Sequence, residues 1–200
     1  MTLQLIVGLG NPGDRYQGTR HNAGADFVTA VAAQYGARLA VESRFFGEAA
    51  RVQTSTLDLR LLIPTTFMNH SGQSVSAMAT FFKIPAEAIL IAHDELDFEP
   101  GVARLKRGGG HGGHNGLRDI SKPLGENTMR LRLGIGHPGH ARDVSDYVLA
   151  RPSQTDRQRI DDGIVEALRV LPGLAAGEWN HAVQQLHSAT PSNPANNEED

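Results

Sequence analysis

The 200-residue chain contains no cysteine. That excludes a disulfide framework, a thiolate zinc site, an iron–sulfur cluster and a cysteine nucleophile. No stretch approaches the roughly 18 apolar residues that a membrane helix needs. The N-terminal MTLQLIVGLGNPG has no basic segment and only a short apolar run, so no secretory signal is expected. No serine lies in a G-x-S-x-G turn, which leaves a serine nucleophile without support. The expectation is a cytoplasmic protein with no membrane partner. Forty per cent hydrophobic and 20% charged residues suit one globular domain.

The net charge of −3 conceals an asymmetry. Gly101 to Arg142 holds eight basic residues against two acids, a local charge of +6, whereas Ala86 to Pro100 holds five acids and no base. A basic segment of this size is compatible with one face that grips phosphates, although a solvated face is the plainer reading of charge alone.

Apolar runs at Leu3–Val7 and Ala88–Ala92 read as buried strands. Phe46–Val52 and Leu57–Ile63 lie close together without a helix between them, so they read as an antiparallel pair. Val102–Lys106 and Met129–Ile135 alternate, the latter with arginines on one face. Helical spacing marks Phe27, Val28, Val31 and Ala32, with Asn22 as a cap and Gly36 as a stop. It also marks Ser71–Phe82, a short segment over Leu117–Leu124, a helix opened by a Thr155–Gln158 capping box, and a last helix holding Trp179. Strands alternating with helices predict an α/β fold: a single-domain three-layer sandwich with a mixed, mostly parallel central sheet flanked by helices. The domain is expected to span 1–187, with 188–200 a disordered polar tail.

Gly8-Leu-Gly10-Asn-Pro-Gly13 follows a strand and matches the dinucleotide fingerprint G-x-G-x-x-G. Its Pro-Gly favours a turn rather than an immediate helix, and no acid stands at the required distance. A loop leaving the C-terminal edge of the sheet fits better, and sites form at such edges. Asn11 lies on it, and His21 enters at the same edge as a candidate general base. His93-Asp94-Glu95-Leu96-Asp97 follows another strand, and Asp94 could orient an imidazole. Asn69 precedes a helix and is either a turn residue or a substrate-binding amide. Gly108–Gly116 has six glycines in nine residues, so its N–H groups can approach an anion closely. His111 and His114, like His137 and His140, have a spacing that metal ligands can have, but without the accompanying motifs no metal or cofactor is expected.

Together, LIVGLGNPGDRYQGTRHNAG, TFMNHSGQSV, HDELDFEPGVARLKRGGGHGGHNGLRDI and RLRLGIGHPG resemble the bacterial peptidyl-tRNA hydrolase family from Leu3 to about Trp179. The resemblance implies a monomer that cleaves the ester between a peptide, or an N-blocked aminoacyl group, and the 3′ end of tRNA. Such an enzyme recycles tRNA in translation and ribosome rescue, without a cofactor. By resemblance, His21 is the base and Asp94 its orienting carboxylate. Asn11, Tyr16, Met68, Asn69 and Asn115 would bind the peptide and tRNA end. Arg104, Lys106 and Arg132 would face tRNA phosphates. The alternative is a non-catalytic RNA-binding protein on the same fold.

Overall fold

The computed structural model describes residues 2–191. Its sheet grows outward from the apolar run Leu5–Gly8 (β1), whose four residues are all buried. β1 pairs in parallel with β4 (Asp58–Pro64) on one side and β5 (Ile89–Glu95) on the other. β5 continues in parallel to β7 (Met129–Gly134). Antiparallel strands finish both edges: β3 (Gly47–Gln53) and β2 (Ala40–Glu42) beyond β4, and β6 (Ala103–Arg107) beyond β7. The seven strands therefore run β2-β3-β4-β1-β5-β7-β6, with four parallel strands in the middle. Both faces of those central strands are covered, which explains their unbroken apolar character.

Alternation divides the strand residues between two cores. Ile6, Leu61, Leu90 and Leu131 pack against α1 (Ala23–Gln34), α5 (Gln154–Ala175) and α6 (Trp179–Ala189). Leu5, Val7, Leu62 and Ile91 pack against α2 (Ser71–Phe82) and α3 (Asn115–Leu124). The three expected layers and the antiparallel β3–β4 pair are present. A short helix, α4 (Val144–Leu149), and the short edge strand β2 carry no clear periodic signal and escaped the sequence reading.

Several local expectations need correction. Asn22 does not cap α1 with its side chain, which is turned instead onto the backbone of Asn11. The cap of α5 is Ser153, whose hydroxyl accepts from the Asp156 N–H, so the motif lies two residues before Thr155. His93 and Asp94 belong to β5 rather than to a loop. α6 runs past residue 187 to Ala189. There the His187 Nε2 accepts the edge N–H of Leu105, and the Thr190 hydroxyl donates to the Ala103 carbonyl. The remainder of the expected tail, 192–200, lies outside the described residues.

One close approach decides where the site forms. Gly24, in the first turn of α1, sits against the ends of β1 and β5. A Cβ there would lie 2.1 Å from the Ala92 carbonyl oxygen and 2.7 Å from the Leu9 nitrogen. Only a residue without a side chain lets the start of α1, and with it the 3-10 turn Arg20–Asn22, reach the C-terminal edge of the sheet. The glycines of the fingerprint-like loop serve the same packing: a Cβ on Gly8 would lie 2.3 Å from the Gly24 carbonyl oxygen.

Candidate active site

At that edge a cavity of about 950 Å³ opens between the 3-10 turns, the end of β5, β6–β7 and the glycine-rich loop. Its polar centre is Asp94, 4% exposed at the end of β5. Two imidazoles face this carboxylate. His21 Nδ1 lies 2.9 Å from both oxygens, and His114 Nε2 lies 2.9 Å from Oδ1. The two rings are 5.0 Å apart.

The hydrogen-bond partners fix the proton positions. His114 Nδ1 accepts from the N–H groups of Gly116 and Leu117, which caps α3. Its proton must therefore be on Nε2, where it is donated to Asp94. His21 likewise donates from Nδ1, which leaves Nε2 with a lone pair beside the cavity. Burial opposes charge on Asp94, but the attraction and hydrogen bonds of the two imidazoles outweigh it and hold the carboxyl below the usual range. Burial also opposes charge on His21, yet the adjoining carboxylate more than compensates and raises its pKa above the ordinary value.

His93 plays a different part. It is buried beneath His114, with ring centres 5.2 Å apart, and its Nδ1 donates to the Asp94 carbonyl oxygen at 2.7 Å. Burial, with the nearby His114 ring and Arg130, pushes its pKa down to about 3. It therefore supports β5 as a neutral group.

Asn11, on the loop after β1, accepts the Met68 N–H on Oδ1 at 2.8 Å. That bond sets the amide orientation and leaves Nδ2 as a donor. Asn11 itself is anchored by Asn22, whose Oδ1 accepts its N–H and whose Nδ2 donates to its carbonyl. Met68 is buried in the 3-10 turn Met68–His70, and Asn69 beside it is exposed on the cavity wall. Asn115, the first residue of α3, lines the opposite wall, with its Oδ1 occupied by Arg118. Lys106 and Arg132 also line the cavity, and Arg132 pairs with Glu95 at 2.8 Å.

Two residues stand apart from the rest. Tyr16 is not on the cavity wall but packs edge-on against Phe67, which is. Arg104 turns to the C-terminal segment, where its guanidinium donates to the Thr190 hydroxyl and the Pro191 carbonyl. Sequence reasoning missed Arg20, whose guanidinium donates to the Tyr147, Ala150 and Arg151 carbonyls and lies over the Tyr147 ring. This ties the His21 turn to the end of α4.

His21, Asp94 and His114 are also the group of potential metal ligands that converges among the described residues. Here both facing ring nitrogens are spent as donors on the carboxylate at 2.9 Å, so an ion would have to displace both bonds. The donor set fits a hydrogen-bonded triad better than a metal cage.

The family model for peptidyl-tRNA hydrolase matches residues 5–195. The chain belongs to the peptidyl-tRNA hydrolase family. It is 59% identical to the peptidyl-tRNA hydrolase of Pseudomonas savastanoi pv. phaseolicola over 188 residues, covering 93% of this chain and 97% of that one. It is 57% identical to that of Pseudomonas aeruginosa, with the same coverage. The crystal structure of peptidyl-tRNA hydrolase from Acinetobacter baumannii superposes with a TM-score of 0.92 at 49% identity, covering 95% of this chain and 97% of that one. The α/β architecture is thus that of solved members of the peptidyl-tRNA hydrolase family, and it extends over nearly the whole chain.

Proposed function

We propose that this chain hydrolyses the ester between a peptide, or an N-blocked aminoacyl group, and the 3′ end of tRNA, and that His21 activates the attacking water. The carrying observation is the His21 Nδ1–Asp94 hydrogen bond, which leaves Nε2 as a free base at the cavity. An ester is reactive enough for direct attack by water, so no covalent nucleophile is needed. His21 takes the water's proton at Nε2, and Asp94 stabilises the imidazolium that forms. Asn11 Nδ2 is the donor oriented for the ester carbonyl, where charge develops in the transition state. Asn69 and Asn115 hold peptide and nucleotide from opposite walls. Lys106 and Arg132 meet tRNA phosphates, whereas Tyr16 acts through Phe67, and Arg104 contributes to the basic face through its charge. The chain works as a cytoplasmic monomer built on one domain. Among the described residues, no helix is long and apolar enough to cross a membrane.

The direct test is release of N-acetyl amino acid from N-acetyl-aminoacyl-tRNA by the purified chain, with and without EDTA. Turnover that survives EDTA is expected, and an intact substrate would overturn the reading. The acid limb of kcat/KM should bend above pH 6.5, the usual histidine value, because Asp94 raises the His21 pKa. The same pair acts on stability with the opposite sense. Its contribution is complete below the unfolded value of 6.5 and is lost as pH rises through the raised folded value. An acid limb bending below 6.5 would contradict the assignment of His21 as base.

Two phosphate contacts give a definite salt dependence. Raising salt from 50 to 200 mM should lower kcat/KM about tenfold through KM, with kcat at saturation little changed. A salt-insensitive KM would remove Lys106 and Arg132 from the tRNA-binding face.

A further inference from the structure

The residue before His21 in the chain takes no part in the chemistry itself. Arg20 is 9% exposed and opens the same 3-10 turn. Its Nη1 lies 3.1 Å from the Tyr147 carbonyl oxygen, 3.4 Å from that of Ala150 and 3.3 Å from that of Arg151. The guanidinium carbon lies 4.0 Å from the centre of the Tyr147 ring, and the Tyr147 hydroxyl donates to the Ile135 carbonyl just beyond β7. Free carbonyls at the end of a helix favour a cation. The Arg20 N–H also donates to the Ala150 carbonyl. One backbone bond sets a distance but leaves the helix end free to turn, and the side chain removes that freedom.

The helix held in this way has little else to hold it. α4 is six residues long, well short of the roughly 12 that a helix needs to persist alone. Val148 is its one buried residue. Yet Val144, Ser145, Val148 and Leu149 all line the cavity that His21 faces. A wall with so little buried surface belongs to the parts of a fold that open most readily. Its anchor is the neighbour of His21 in the chain, so a shift of α4 pulls on the His21 turn.

We propose that Arg20 is a positioning residue: by clamping the last turn of α4 it holds His21 in line with Asp94, and it passes the seating of that cavity wall on to the base. This role rests on the hydrolase reading above. His21 Nδ1 has to meet the carboxylate at 2.9 Å while Nε2 stays at the cavity. Misplacement by about 1 Å costs roughly 100-fold in rate. Asp94 and His114 face the His21 ring. Arg20 faces Tyr147, on which Asp156 and Glu99 act from a distance.

The test is Arg20→Met, with Arg20→Lys as the conservative variant. In Arg20→Met, kcat for N-acetyl-aminoacyl-tRNA should fall about 100-fold with KM little changed. Arg20→Lys keeps the charge but not the planar fork, and should recover about tenfold of that loss. A loss confined to KM would make Arg20 part of the wall alone and overturn the positioning role. The acid limb of kcat/KM should also move to lower pH in Arg20→Met, because a ring drawn away from Asp94 loses the attraction that raises its pKa. Removing the Arg20 charge would by itself favour the imidazolium and move the limb the other way. A partly unfolded sample would lower kcat without moving the limb. A limb that stays in place or rises therefore overturns the role. Titration of His21 by NMR reads the same shift without turnover. If wild type leaves the substrate intact but His21 titrates lower in Arg20→Met, the clamp stands and the hydrolase reading fails. Should Arg20→Met not fold, Tyr147→Leu removes the ring beneath the guanidinium. His21 should again titrate lower, and an unchanged titration would refute the clamp.

Discussion

Asp94→Asn is expected to lower kcat by roughly 10,000-fold, the scale on which an aspartate-to-asparagine change damages a serine-protease triad. The reason here involves three side chains. Asp94 accepts from His21 Nδ1 and from His114 Nε2 at once. Asparagine offers one acceptor and one donor in place of two acceptors. His114 cannot adapt, because its Nδ1 is committed to the Gly116 and Leu117 N–H groups at the start of α3. The asparagine oxygen must therefore serve His114, and its NH₂ group must face His21. His21 Nδ1 then becomes an acceptor, and the proton moves to Nε2, where the base should be. The activity of Asp94→Asn should fall to within tenfold of His21→Ala, and histidine ¹⁵N shifts should report the changed tautomer. Adding His114→Ala frees the asparagine oxygen for His21 and should recover about tenfold in kcat over Asp94→Asn. An Asp94→Asn variant that keeps more than a tenth of wild-type kcat would refute this account.

Gly24→Ala carries the second large effect, in the direction opposite to helix propensity. In an open helix the change would stabilise by about 1 kcal/mol. Here the added Cβ meets the backbone of β5, at 2.1 Å from the Ala92 oxygen, and of the residue that follows β1, at 2.7 Å from the Leu9 nitrogen. Neither can rotate away as a flexible side chain could. Overpacking of this kind costs about 1–3 kcal/mol, and each kcal/mol lowers Tm by about 2–4 °C in a chain of this size. The helix start must also withdraw, carrying His21 from Asp94. Misplacement by about 1 Å costs roughly 100-fold in rate. Thermal unfolding and kcat should therefore fall together. A variant with unchanged Tm and kcat would show that α1 can shift without disturbing the site.

Features encoded by local pattern were legible in the sequence. The apolar runs of β1, β4 and β5 and the periodicity of α2 carry their own signals, as does the short separation of β3 and β4. The sequence also singles out His21, Asp94 and Asn11, and the family resemblance adds Met68; the fold brings all four together at one sheet edge. What was lost depends on contacts distant in sequence. His114 drew notice only through its spacing from His111. Its bond to Asp94 spans 20 residues, and capping by an imidazole lies outside the usual Ser, Thr, Asp and Asn signals. Arg20 finds its acceptors more than 125 residues away, around a helix of six residues. Arg104, Lys106 and Arg130 look alike as charges in a basic segment. Only the fold distinguishes the first, held by Thr190 and Pro191, from the last, which is buried with no hydrogen-bond partner for its Nε and Nη1 among the described residues.

The join between α6 and β6 bears on what the outermost strand is free to pair with. β6 ends the sheet, and an outermost strand with free N–H and C=O groups invites another chain to pair with it. Here the Leu105 N–H is already taken by His187, the Ala103 carbonyl by Thr190, and the Arg104 side chain by the segment that follows α6. Burial and the neighbouring Arg104 charge lower the pKa of His187, so its ring keeps the lone pair that this bond requires. The last helix is thus a permanent occupant of the strand-pairing surface, and a chain cut before His187 would gain an adhesive border on the side of the sheet that carries Lys106.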